Sequence, residues 1–193
     1  MLRTPAWVVR GTAFAFVLCL APLSGVSAQS LSGIEQSQAL DPGRYVWQPE
    51  RAADGPVEIV VSLPLQLAYV YRGGTLIAVS TVSTGKPGHE TPTGTFEILQ
   101  KKRDHRSNLY NDAPMPFMQR LTWDGIALHA GASPGTPASH GCVRLPHAFA
   151  QKLFGITQLG ASVHIIDEAP SSPEDALAMV GGALPSLETI GTR

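Results

Sequence analysis

Cysteine is nearly absent from this chain: its 193 residues hold 2, Cys19 and Cys142. A disulfide scaffold is excluded on that ground. Charge is also sparse, at 15% of residues, with Lys+Arg 14 against Asp+Glu 15 and a formal net charge of -1. That balance excludes the basic face of a nucleic-acid binder, and no polybasic run marks an anionic-membrane binder. Nor is there a comfortable membrane span, because the N-terminal apolar stretch, 11–23, is shorter than the roughly 20 residues a transmembrane helix needs. Internal repeats and a second domain are missing as well.

What the N-terminus does have is a secretory pattern. Arg3 and Arg10 precede the apolar stretch, and Val26-Ser27-Ala28 offers a small-residue cleavage site. The reading is a signal peptide over 1–28 with Gln29 as the first mature residue, an uncleaved anchor being the alternative. Cys19 leaves with that segment, and Leu18 stands where a lipoprotein signal wants a small residue. The mature chain then carries a net charge of about -3 and no stable membrane anchor, and it keeps one thiol, Cys142.

The remainder divides by composition. Residues 29–56 are polar and proline-punctuated and read as a leader or linker, in which Gly43 to Trp47 is a candidate short strand. From Val57 the pattern turns to β: Val57, Ile59 and Val61 alternate with Glu58 and Ser62. Segments 65–71 and 75–82 flank Arg72-Gly73-Gly74, a hairpin turn. Further strands are expected over 94–100, 125–129 and 163–166. One helix is expected after Pro146, carrying Phe149 and Leu153 and ending at Gly155. The resulting class is mainly β, a sandwich or barrel with one or two short helices, over 57–167. Residues 168–193 form a C-terminal tail with a candidate helix capped at Ser172 and running to Val180.

The chemistry centres on Ser139-His140-Gly141-Cys142-Val143-Arg144. An unassisted thiol with a pKa near 8.5 is only slightly ionised at neutral pH, so a histidine is the expected helper. Two are candidates. His140 shares a face with Cys142 in an extended segment, and His129 ends a strand whose Leu128 faces the core. Gly141 permits unusual backbone angles and close substrate approach, and with Cys142 it offers N–H groups to an oxyanion. Arg144 suits a carboxylate. His89, His105, His147 and His164 read as surface or core histidines, and Lys101-Lys102-Arg103 as a solvated strand end.

The hexapeptide, preceded by a strand-end histidine, resembles the YkuD-type L,D-transpeptidases of bacterial cell walls. Ser83-Thr84-Gly85 with Thr91-Pro92-Thr93-Gly94-Thr95-Phe96 is similar to an earlier signature of that family, and Met115-Pro116-Phe117 to its substrate flap. The resemblance implies a YkuD-like β-sandwich and a defined reaction. A cysteine attacks the peptide bond before the terminal D-alanine of a peptidoglycan tetrapeptide stem, D-alanine leaves, and an amine resolves the thioester. By position it makes Cys142 the nucleophile, His129 the general base and acid, and the Ala130 main-chain carbonyl the group orienting His129. His140 and Gly141 then serve the oxyanion hole or positioning. Arg144, Ser139, Met115, Pro116 and Phe117 contact substrate. No metal or cofactor is implied, and carbapenem sensitivity is. The partners are stem peptides or a protein amine, in the periplasm or cell envelope, and no nucleic acid.

Ala130 stands where the family commonly has glycine. A second departure bears on the acceptor: the loop from His129 to Ser139 is shorter than usual and rich in Pro134, Gly135 and Pro137. Alternatives from other classes are an L,D-carboxypeptidase or amidase on the same scaffold and a non-enzymatic wall-binding module. A zinc site from His129, His140 and Cys142 has too few ligands at unconvincing spacing.

Overall fold

The computed structural model describes residues 40–109 and 111–181, so the expected signal segment, the start of the leader and the end of the tail lie outside the described residues. In chain order the strands are β1 (Tyr45–Trp47), β2 (Val57–Ser62), β3 (Leu67–Arg72), β4 (Thr75–Thr81), β5 (Gly94–Glu97), β6 (Gln100–Lys102), β7 (Met118–Arg120), β8 (Ala127–Ala130), β9 (Val143–Leu145) and β10 (Ser162–Ile166). Two α-helices follow the later strands, α1 (His147–Ile156) after β9 and α2 (Pro173–Met179) after β10. A six-stranded sheet runs β1-β4-β3-β2-β10-β5 and a four-stranded sheet runs β6-β7-β8-β9. The class is mainly β, as the sequence indicates.

Local chemistry explains the best-defined parts. Gly73 and Gly74 both have positive φ, 54° and 78°, which the tight turn between β3 and β4 requires. Segment 94–100 reads in sequence as one strand and is two in the structure. Ile98 N–H donates to Ala161 O at 3.0 Å in the large sheet's end of the molecule, whereas Leu99 N–H donates to Arg120 O at 2.8 Å beside the small sheet. The chain therefore changes sheets between adjacent residues. Strands β7 and β9 have three residues each, too short for an alternation to register.

The sheets pack face to face over one core. Ile59, Val61, Val70 and Ile165 of the large sheet meet Leu128, Val143 and Leu145 of the small one, with Phe149 and Leu153 of α1 filling the end. Tyr45 and Trp47 lie on the Phe149 ring at centroid distances of 5.4 and 5.6 Å, so β1 carries part of the leader into the core. The large sheet is covered on its other face too. Val60, Tyr69 and Val79 pack with Ala176 and Leu177 of α2, and Tyr71 Oη donates to Pro173 O at 2.5 Å. Burial on both faces is why β2 to β4 read as almost continuous apolar runs.

Helix α1 passes through Gly155 and ends at Ile156, where Thr157 Oγ1 donates to Leu153 O at 3.0 Å. Lys101 is not a solvated end: its Nζ donates to Phe154 O at 2.7 Å and Thr157 O at 2.6 Å, a cation at a helix C-terminus. Helix α2 begins as the tail composition suggests, with Asp175 N–H donating to Ser172 Oγ at 3.1 Å. Among the described residues no helix is long and apolar enough to cross a membrane.

Because Leu177 is fully buried against the large sheet, Leu177→Ala is expected to cost about 2–5 kcal/mol, read as a lower urea midpoint at unchanged slope. An unchanged midpoint would mean that α2 is not part of the cooperative unit.

Candidate active site

Strand register assembles the site. β8 and β9 are parallel, with Leu128 opposite Val143, His129 opposite Arg144 and Ala130 opposite Leu145. β7 runs antiparallel on the other side of β8, with Gln119 opposite Leu128 and Arg120 opposite Ala127. One step back along β8 and β9, Cys142 stands beside Ala127. Alternate residues share a face, so Arg120, Ala127 and Cys142 form one row and Met118, His129 and Arg144 the next. All six line a cavity of about 520 Å³.

His129 is 7% exposed, and its Nδ1 lies 2.8 Å from Ala130 O. A carbonyl only accepts, so the proton sits on Nδ1 and the Nε2 lone pair is left for another donor. Ala130 is fixed in turn, since its N–H donates to Pro116 O at 2.8 Å. Cys142 Sγ donates to the Gly125 carbonyl at 3.4 Å. The resting thiol is thus held by backbone rather than by the imidazole.

The loop before the thiol is built around Ser139. Its Oγ donates to Cys142 O at 2.5 Å and accepts the Gly141 N–H at 3.1 Å. That bond engages the Gly141 donor that the sequence offered to an oxyanion, so Gly141 contributes shape instead. Its φ is +110°, and a Cβ there would lie 2.9 Å from Ile126 Cδ1. His140 is exposed at the cavity mouth, with its ring edge-on to His89 at 4.7 Å. Met115 lines the cavity, and Pro116 supplies its carbonyl to Ala130. The Phe117 side chain turns away into the core beside Phe154, at 5.9 Å.

Sequence reading did not identify the bracing of this loop. Thr91 Oγ1 donates to Gly141 O at 2.8 Å and accepts the Gly85 N–H at 2.8 Å. Ser83 and Arg144 exchange backbone bonds of 3.0 and 2.9 Å, and Thr84 O accepts the N–H of both Ala138 and Ser139 at 2.9 Å. Thr84 is clamped by buried Gln66, whose Nε2 donates to its Oγ1 at 2.7 Å while its Oε1 accepts the Thr84 N–H at 3.0 Å. Thr84 and Thr91 lie in the segments that resemble the family's earlier signature, but nothing local marks Gln66. Elsewhere, His164 is a buried histidine that bridges Glu58 Oε1 at 2.7 Å and Thr95 Oγ1 at 2.9 Å. Among the described residues no three His, Cys, Asp or Glu converge to hold a metal ion.

Residues 56–165 match the profile of YkuD, the L,D-transpeptidase catalytic domain. The chain belongs to the YkuD family. L,D-transpeptidase 1 of Mycobacterium tuberculosis is 27% identical over 123 residues, covering 55% of this chain and 49% of that protein. The chain therefore spans about half the length of the curated relative it matches. The solved L,D-transpeptidase (Yku) from Stackebrandtia nassauensis has a TM-score of 0.55 at 27% identity, over 62% of this chain and 60% of that one. L,D-transpeptidase 3 from Mycobacterium tuberculosis, in complex with a faropenem-derived adduct, shares the fold at a TM-score of 0.53 and 21% identity, over 57% of this chain and 60% of that one.

Electrostatics set the resting state of this YkuD site. Burial pushes the Cys142 thiol up, against smaller downward pulls from the Ala127 N–H and the charges of Arg144 and Arg120. Burial also pushes His129 down, and the Ala130 carbonyl only partly offsets that. Both shifts favour a neutral thiol beside a neutral imidazole at pH 7. Alkylation of Cys142 by iodoacetamide follows the thiolate fraction, so its midpoint is expected above the ordinary thiol value of about 8.5. A rate already at plateau by neutral pH would instead reveal a resting thiolate–imidazolium pair.

Proposed function

We propose that this protein is an exported cysteine acyltransferase of the bacterial envelope, an L,D-transpeptidase acting on peptidoglycan tetrapeptide stems. The observation that carries the reading is the row geometry: a thiol and a histidine whose Nδ1 is engaged by the Ala130 carbonyl stand on adjacent rows of paired strands at one cavity, inside a YkuD domain.

The chemistry follows from those positions. The stem carbonyl enters near Sγ, the Cys142 proton passes to His129 Nε2, and a C–S bond forms. Because both groups begin neutral, charge appears only as the carbonyl is attacked, which confines the thiolate to the productive complex. The oxyanion meets the Cys142 N–H, with His140 at the mouth and Gly141 leaving room for the approach. The imidazolium then protonates the departing amine as the C–N bond breaks, and D-alanine leaves. In the second half an amine attacks the thioester, its proton goes to His129, the new C–N bond forms and the C–S bond breaks. The recovered proton returns to sulfur. Ser139 and Thr91 hold the loop, Met115 forms the wall facing the stem, Pro116 steadies Ala130 through its carbonyl, and Arg144 meets a stem carboxylate. Phe117 supports that wall from the core side.

The test is incubation of the purified protein and Cys142→Ala with a disaccharide-tetrapeptide, read by chromatography and mass spectrometry. A cross-linked dimer lacking one D-alanine is expected from the wild type and no product from the variant. Tripeptide without dimer would make the protein a carboxypeptidase, and turnover by Cys142→Ala would remove the thiol from the mechanism.

A further inference from the structure

The cavity holds a cation that this mechanism has not used. Arg120 stands in the same row as Ala127 and Cys142, two strands across from the thiol and hence roughly 10 Å away along the backbone. The residue between them is alanine, which leaves the floor low. Gln100 Oε1 accepts from Arg120 Nε at 3.2 Å, and the guanidinium lies 5.9 Å from the Trp123 ring centroid. Those two contacts hold the guanidinium at the cavity wall. The ion pairs among the described residues are Arg106 with Asp112 and His164 with Glu58, so no carboxylate there neutralises Arg120. Asp124, the acidic side chain on this wall, is exposed and already accepts the Thr122 hydroxyl. Positive potential at this end is felt by its neighbour, since burial and then Arg120 and Lys102 hold His105 below its ordinary value.

We propose that Arg120 reads the carboxylate on the carbon adjacent to the reacting amine, so that this protein accepts amines bearing an α-carboxylate in preference to isolated amines such as a lysine side chain. The inference rests on the transpeptidase reading. A carbonyl in attack contact lies about 3–3.5 Å from Sγ. The carboxylate of the next residue then sits about one residue length, 3.8 Å, further on, within the span that the arginine side chain bridges. The amine leaving in the first half-reaction carries such a carboxylate, and an entering amine approaches the same thioester carbonyl along the path the leaving one took. One guanidinium therefore serves both halves: it holds the departing amino acid while the C–N bond breaks, and it orients the acceptor while the new C–N bond forms and C–S breaks. Its planar fork suits a carboxylate.

The test measures exchange of the terminal residue of a disaccharide-tetrapeptide, with D-methionine or D-methioninamide as acceptor and mass spectrometry as the readout. The ratio of the two rates within one protein is insensitive to differences in thiol reactivity or folded fraction. Wild type is expected to favour the carboxylate by about tenfold or more, the size of a charge-assisted hydrogen bond. Arg120→Gln should bring the two rates together, and Arg120→Lys, which keeps the charge without the fork, should fall between. A wild-type ratio near one, or the wild-type ratio retained in Arg120→Gln, overturns the inference while leaving the transpeptidase reading intact. Acylation resolved by water alone, with neither amine incorporated, overturns it as well. No acylation of Cys142 by the stem overturns the transpeptidase reading and this inference with it.

Discussion

Everything at the site depends on the parallel pairing of β8 with β9. Parallel neighbours cannot be joined by a tight turn and need a crossover of about a dozen residues or more, which loop 131–142 provides at close to the minimum length. The consequence is geometric. His129 and Cys142 are thirteen positions apart in sequence, yet they fall on adjacent rows of adjacent strands and on the same face. A small slip in that register would turn one of the two toward the core. The core prevents it: Leu128, Val143 and Leu145 occupy the opposite face of the same strands and are buried against the large sheet.

A crossover this short must be held, and the remaining structure supplies the restraint. The Ser83–Gly85 segment pairs with Ser139 and Arg144 at the loop's end, Ser83 Oγ donates to Thr136 O at 2.8 Å, and Gln66 secures Thr84 from beneath. Gly135 faces Pro42 so closely that a Cβ would lie 2.6 Å from its Cγ, which brings the leader into contact with the loop. Buried polar groups of this kind stabilise little in net terms but are costly to leave unpaired, so such a network favours one loop conformation over many. The same burial that makes the loop unique disfavours the thiolate. Preorganisation and reactivity pull in opposite directions, and a neutral pair that ionises only when substrate arrives reconciles them.

Much of this was legible from the chain. The thiol motif, the strand-end histidine with Leu128 turned inward, the Gly73-Gly74 turn and the α2 cap at Ser172 are encoded locally, in a few neighbouring residues. What was not legible depended on long-range partners. Strands β7 and β9 are too short to show a period, and the sheet change at Ile98 and Leu99 is visible only through Ala161 and Arg120. Gly155 reads as a helix end, but the stop comes from Thr157 with Lys101 on the last carbonyls. The Gly141 N–H is free by local sequence, but Ser139 Oγ accepts it, and Phe117 resembles a flap residue, but its ring lies in the core. Arg120 is the clearest case: in sequence it is one more cation, and only register with Ala127 and Cys142 gives it a place.

His129 rests neutral with its proton on Nδ1, which leaves Nε2 to receive the Cys142 proton. Long-range nitrogen–proton NMR on histidine-labelled protein at pH 7, with His129 assigned by comparison with His129→Gln, tests it directly. A pyrrole-type Nδ1 and a pyridine-type Nε2 are expected. An imidazolium pattern, or the proton on Nε2, would contradict it.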